Sequence, residues 1–347
     1  MARGSKGHGR RSEYVGDGLS PLQREALKLD PVPVSKPWGG KKLLPYLLPG
    51  AESVLPLGEL WLVSTVGDHS RHSRINSGVH DGLLLSDLIK ASPEKILGPS
   101  WGGEAAESEF PLLFKFLDAN TELSVQVHPD DAFSKYRGLG STGKEESWII
   151  LDANPEAFVR VGFSANWDMK KLSEAAAKGE CVEEALNKVP VKRGDILHIP
   201  PRTVHSIGAG IVLAEIQQPS DVTFRIHDGN NVGLDGNPRE LHLEMALQLD
   251  PPEQDSTDVI PVNPESQGGW QLRIAASPYQ VFELKGPWEG QLDIPEDRSS
   301  ILCILSGSAE SHGERLYEGS VRLLLPGEGE FHLKSASESW AILCIPS

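Results

Sequence analysis

Thr121-Glu122-Leu123-Ser124-Val125-Gln126-Val127-His128-Pro129-Asp130-Asp131 is the stretch around which the rest of the chain is read. Successive side chains of a strand point to opposite faces, so Ser124, Gln126 and His128 share one face and Leu123, Val125 and Val127 the other. Aliphatic side chains behind a polar triplet suit a strand that presents ligands inside a small barrel. The same alternation also describes a solvent-facing strand with one surface histidine, and Gln-x-His alone does not separate the two. The neighbouring segments decide.

Upstream, Pro111 to Asn120 is a second apolar run carrying Lys115 between Phe114 and Phe116. Downstream, a Gly-rich turn leads into Lys144-Glu145-Glu146-Ser147 and the apolar run Trp148 to Leu151, so Glu146 falls at the mouth of a buried strand. Val191 to Gly208 contains a glycine turn, a strand closed by Pro200-Pro201, and His205 on the strand that follows. Ile211 to Gln217 and Val222 to Ile226 read as further strands. The segment 167–189 has helical spacing and reads as a pair of short helices broken at Gly179 and inserted on the outside of the β structure. Leu22 to Leu29 reads as a short helix, Leu83 to Ile96 as another, and Pro238 to Leu249 as a helix candidate. Residues 251–267 are rich in Pro, Asp and Ser and read as a linker. Residues 268–347 read as seven or eight short strands of a second β domain, with His312 and His332 lacking partners at ligand spacing.

Composition excludes several classes. A formal net charge of -16 argues against nucleic acid, and an anionic substrate then requires a local basic pocket. The 35 glycines and 26 prolines fit a turn-rich, mostly β fold. Three widely spaced cysteines fit reduced thiols in a cytoplasmic protein. No apolar run reaches transmembrane length, so no membrane role is expected. Residues 1–18 are polar and basic and read as a flexible tail.

Gln126, His128, Glu146 and His205 together offer two imidazoles, a carboxylate and an amide oxygen. Such a mixed set with an open position suits a catalytic divalent cation such as zinc; two histidines and a carboxylate also suit non-haem iron. The amide tilts the set toward a redox-inert ion.

The segment Gly194 to His205, with Pro200-Pro201-Arg202-Thr203-Val204-His205, resembles the second cupin motif. With Pro111 to Asp131, Gly143 to Trp148, Ala214 to Asp221 and Pro238-Arg239-Glu240-Leu241-His242, the order resembles type I mannose-6-phosphate isomerase in its short bacterial form. That resemblance implies a mostly β fold of two cupin barrels (jelly-roll, or double-stranded β-helix) with a small helical insertion. The domains would be 19–250, metal-binding, and 268–347, cupin-like without metal. It implies one zinc per chain on Gln126, His128, Glu146 and His205. It implies a sugar-phosphate substrate, with mannose 6-phosphate and fructose 6-phosphate interconverted through a cis-enediol. By the same resemblance Arg225, Lys144, Glu215 and Asp221 are catalytic, and Ser124 and Lys115 bind substrate. Two departures stand out. Arg202 occupies a turn position where the family commonly has glycine, and Ile226-His227-Asp228-Gly229-Asn230-Asn231 replaces a Tyr-Asp-Tyr-Asp-Arg run near the cleft. The second departure bears on phosphate affinity. It keeps open a related isomerase for another aldose, phosphorylated or not, and a non-catalytic sugar-binding cupin.

Overall fold

The computed structural model describes residues 26–48, 54–99, 101, 109–252, 269–327 and 331–347. The expected tail, and the linker from 253 onward, lie outside the described residues.

The fold is mostly β, built as four antiparallel sheets. At its centre is a six-stranded sheet in the order Ile196–Ile199, Glu146–Ala153, Ile211–Gln217, Leu113–Ala119, Leu57–Val63, Val32–Gly40. Every residue of Leu113–Ala119 and Ile211–Gln217 is buried, because both faces of this sheet are covered. On one face Phe114, Phe116, Ile149, Ala214 and Ile216 pack toward Tyr279, Val281, Ile301 and Ile342 of a seven-stranded sheet formed largely by the C-terminal residues. On the other face Leu117, Trp148, Ile150 and Leu213 pack against Val159, Val161 and Ile207 of a five-stranded sheet. The latter runs Phe224–His227, Val125–Val127, His205–Ile207, Phe158–Phe163, Leu186–Pro190. A four-stranded sheet backs the seven-stranded one through Leu284, Ile304 and Leu333. The Tyr279 hydroxyl joins the two halves, lying 2.9 Å from Ser147 Oγ and donating to the Ile216 carbonyl at 3.2 Å.

Several local readings are revised. Leu27–Asp30, expected to be helical, is a strand that pairs with Val321–Leu324 and Arg74–Ile75, so an N-terminal piece completes the C-terminal sheet. A partner so far along the chain leaves no local periodic signature. The helix expected over Leu83 to Ile96 is two, Leu85–Ala91 and Pro93–Leu97, because Pro93 cannot continue the first and instead starts the second. In the insertion, Met169–Ala177 is helical, with Asp168 accepting from the Lys171 amide as its cap. Beyond Gly179 only the 3-10 turn Glu183–Ala185 follows, and Leu186–Pro190 is an edge strand. Only Leu243–Ala246 is helical within Pro238 to Leu249. The described residues of 268–347 form nine strands.

Among the described residues, no helix is long and apolar enough to cross a membrane.

Candidate metal centre and its cationic cavity

The strand of the opening stretch is short, Val125–Val127. Val125 and Val127 pack outward with Met169, Leu172, Phe224 and Ile226, as the alternation requires. Leu123 precedes the strand and turns into the inner cluster instead. Gln126 faces inward between two cross-strand neighbours, His205 on one side and Arg225 on the other.

His128, Glu146 and His205 are all buried, and one ligand atom from each lies within 4.8 Å of the others. Each imidazole has its Nδ1 committed to a backbone carbonyl: His128 donates to Val222 and His205 to Thr203, both at 2.9 Å. A carbonyl can only accept, so both Nε2 atoms carry the lone pair and face the group. Burial favours the neutral imidazole in both, pushing His205 down to about 4 and His128 well below its ordinary value. Glu146 Oε1 lies 3.3 Å from His205 Nε2, and Oε2 lies 3.5 Å from His128 Nε2. Glu146 Oε2 is buried without a hydrogen-bond donor; Lys144 Nζ stands 3.2 Å away but is not aligned to donate to it. Two neutral imidazoles and an undersatisfied buried carboxylate converging on one point are a donor set that fits a divalent cation. The Gln126 amide joins them, its Nε2 3.2 Å from His205 Nε2, while Ser124 Oγ donates to Gln126 Oε1 at 3.3 Å.

Behind this group runs a row of buried charges of alternating sign. On the six-stranded sheet Trp61, Lys115, Glu215 and Trp148 are cross-strand neighbours on the inner face. Lys115 Nζ is 3.1 Å from Glu215 and 3.9 Å from Glu59; Lys144 Nζ is 3.2 Å from Glu146 and 4.0 Å from Glu215; Lys36 Nζ is 3.4 Å from Glu59. Burial works against a charged Lys115, but Glu215 and then Glu59 outweigh it and keep the ammonium protonated. Burial raises the Glu215 carboxyl. A solvated position for Lys115, the plain reading of a lysine between two phenylalanines, does not hold: its side chain is 3% exposed.

A cavity of about 250 Å³ opens over this row. Gln126, Ser124, Lys115, Lys144, Glu215, Asp221 and Arg225 all line it, so the site residues expected from sequence outside the His/Glu/His group meet in one space. Arg225 takes a backbone partner rather than a carboxylate. Phe224 and Ile226 pack into the core as alternation requires. Asp221, four residues before Arg225, pairs with Arg71 at 3.1 Å, and Arg225 Nη1 donates to the Glu240 carbonyl at 2.7 Å. Four further residues of the site escaped the sequence reading: Lys36, Glu59, Arg71 and Arg239. Glu59 carried the one usable signal, a lone acid inside the otherwise apolar strand Leu57–Val63. Trp61 donates from Nε1 to Glu59 at 2.7 Å and lies under both Lys115 and Arg71.

A mostly β fold with a buried His/Glu/His group under a cation-lined cavity defines a cupin-like protein with a metal-type centre. Comparison with known proteins narrows this. The family model described as "Phosphomannose isomerase type I, catalytic domain" matches residues 26–157. The chain is 32% identical over 321 residues to the probable mannose-6-phosphate isomerase GmuF of Bacillus subtilis, covering 90% of this chain and 97% of that protein. It is 36% identical over 217 residues to the mannose-6-phosphate isomerase of Streptococcus mutans, covering 62% of this chain and 64% of that one. The crystal structure of the Bacillus subtilis mannose 6-phosphate isomerase superposes with a TM-score of 0.75 at 24% identity, over 92% of this chain and 99% of that one. A mannose 6-phosphate isomerase crystallised with zinc and yttrium shares the fold, with a TM-score of 0.65 at 17% identity over 93% of this chain and 99% of that one. The chain belongs to the type I mannose-6-phosphate isomerase family.

Proposed function

We propose that this chain is a zinc-dependent aldose–ketose isomerase that interconverts mannose 6-phosphate and fructose 6-phosphate. The observation that carries the reading is the convergence of two neutral buried imidazoles and Glu146 beside Lys144, at a cavity also lined by Arg225 and Lys115. Gln126, His128, Glu146 and His205 would hold a single zinc, whose chemistry there is polarisation of substrate oxygens.

The reaction moves a proton between C2 and C1 of the open-chain sugar. When a base takes the C2 proton, the electron pair forms the C1–C2 double bond of a cis-enediol, and negative charge develops on O1. Lys144 and Arg225 supply positive charge toward that oxygen. Glu215, whose carboxyl burial raises, and Asp221 at the cavity wall are the carboxylates available for proton transfer. Ser124 and Lys115 contact the substrate. Within this reading the chain is two cupin barrels, the metal-bearing one within 19–250 and the metal-free one built on 268–347 and completed by Leu27–Asp30 and Arg74–Ile75, the segment near 167–189 being a small insertion in the first. The free thiols Cys181, Cys303 and Cys344 support a cytoplasmic setting.

The test is a coupled assay of the zinc-loaded protein with mannose 6-phosphate and with free mannose, alongside the His128→Ala/His205→Ala double variant. Turnover of the phosphorylated sugar by wild type, with both turnover and bound metal lost in the variant, is the expected result. Full metal content in that variant, or turnover of free mannose alone, would sink the reading.

A further inference from the structure

The cavity has two chemically different sides. On the side of His205, each lysine is matched by carboxylates: Lys144 by Glu146 and Glu215, Lys115 by Glu215 and Glu59. On the far side of Gln126 stand two guanidiniums, Arg225 and Arg239, which line the same space. Asp228 and Glu240 both stand close enough to favour a charged Arg225, but only Arg239 is paired with a carboxylate. Asp228 accepts from Arg239 Nε at 2.7 Å and from Arg239 Nη2, a bidentate pair whose side chains are 7% and 15% exposed. Arg225 has only the Glu240 carbonyl, and its Nε is buried without an acceptor. Burial, and then the charge of Arg239, disfavour its protonated form. Two adjacent guanidiniums, one of them with a buried Nε that has no acceptor, offer donors that an anion would satisfy.

The segment that departs from the family pattern explains why Arg239 matters here. Asn231 points away from this space: its Nδ2 donates to the Glu122 carbonyl at 3.2 Å, and it lines a neighbouring pocket. It therefore brings no positive charge to the cavity. Asp228, in the same segment, closes the loop back onto Arg239. Clamped at both carboxylate oxygens, the Arg239 side chain is fixed before any ligand arrives, so little rotamer entropy is left to lose on binding.

We propose that Arg239, held by Asp228, is the specificity residue for the phosphate of the substrate. This rests on the sugar-phosphate reading of the site and assigns its phosphate end. Arg239 binds the phosphoryl group and takes no part in proton transfer, and Asp228 is the positioning residue.

The test uses the zinc-loaded full chain and calorimetric titration with mannitol 1-phosphate, a polyol phosphate with no carbonyl to turn over, and with mannitol as the unphosphorylated control. In Arg239→Gln/Asp228→Asn both charges go together, so no buried carboxylate is left unpaired. This variant should bind mannitol 1-phosphate roughly tenfold to a hundredfold more weakly than wild type, with unchanged metal content and melting temperature. Arg239→Lys, which keeps the charge but not the fork, should fall between. Toward mannose 6-phosphate both variants should raise KM with kcat within a few-fold of wild type. Wild-type affinity for mannitol 1-phosphate in both variants, or no binding of it by wild type, overturns the assignment. If wild type fails to isomerise mannose 6-phosphate yet binds the polyol phosphate in an Arg239-dependent way, the isomerase reading falls and the phosphate subsite stands.

Discussion

Replacing Glu59 by Gln tests whether the buried charge row is integral to the fold of the site. Glu59 accepts from Trp61 Nε1 at 2.7 Å and lies 3.4 Å from Lys36 and 3.9 Å from Lys115. Burial alone would raise its carboxyl, but Lys115, then Lys36 and the Trp61 bond, outweigh it and pull the group down to about 2. Against 4.5 for an unperturbed glutamate, that depression corresponds to about 3 kcal/mol of folding free energy at neutral pH. A depressed carboxyl contributes stability that is fully present above its unfolded value and is lost as pH falls through the folded one. Glutamine keeps an acceptor for Trp61 but leaves Lys36 without its partner and Lys115 with Glu215 alone. In urea denaturation followed by tryptophan fluorescence, Glu59→Gln should therefore lie about 3 kcal/mol below wild type at pH 7, with the gap closing to about half near pH 3. A gap under about 1 kcal/mol at pH 7, or one that stays constant between pH 7 and pH 3, would refute the reasoning.

Two further substitutions probe separate links. Arg225→Ala should lower kcat roughly a hundredfold or more with metal content unchanged, and Arg225→Lys should rescue poorly because the planar fork is lost; steady-state kinetics showing a change in KM alone would reduce Arg225 to a binding residue. Arg202 has φ +67°, the left-handed conformation implied by a residue standing at a family glycine, and its ion pair with Asp130 at 3.4 Å is about one-third exposed on both sides. Arg202→Gly should therefore match or exceed wild-type stability by up to about 1 kcal/mol in the same denaturation assay, and a loss of that size would show the Asp130 contact to matter more than the backbone conformation.

The parts of the site that sequence made legible are those set by local rules. Alternation around Gln126 separated the inward polar face from Val125 and Val127, and the apolar run after Lys144-Glu145-Glu146 put Glu146 at a buried strand's mouth. The same rule oriented Arg225 between Phe224 and Ile226. Long-range pairing stayed hidden. Nothing near Leu27–Asp30 announces that its partner is Val321–Leu324, and helical spacing there was a coincidence of short apolar residues. Lys36, Arg71 and Arg239 reach the site from three separate segments, and each looks like solvated surface charge until the sheets bring it to a counter-charge; only Glu59, inside the apolar strand Leu57–Val63, stands out in sequence. The pairing of Asp221 with Arg71 rather than Arg225 belongs to the same class, since only the approach of the turn His69–Arg71 decides it.

The most direct measurement of the central claim is isomerisation of mannose 6-phosphate, followed by NMR, before chelation, after removal of metal, and after zinc is restored. If His128, Glu146 and His205 form the metal centre of the reaction, conversion to fructose 6-phosphate should stop on chelation with the fold intact by circular dichroism, and return when one equivalent of zinc is bound. Undiminished conversion by the metal-free protein would contradict the account.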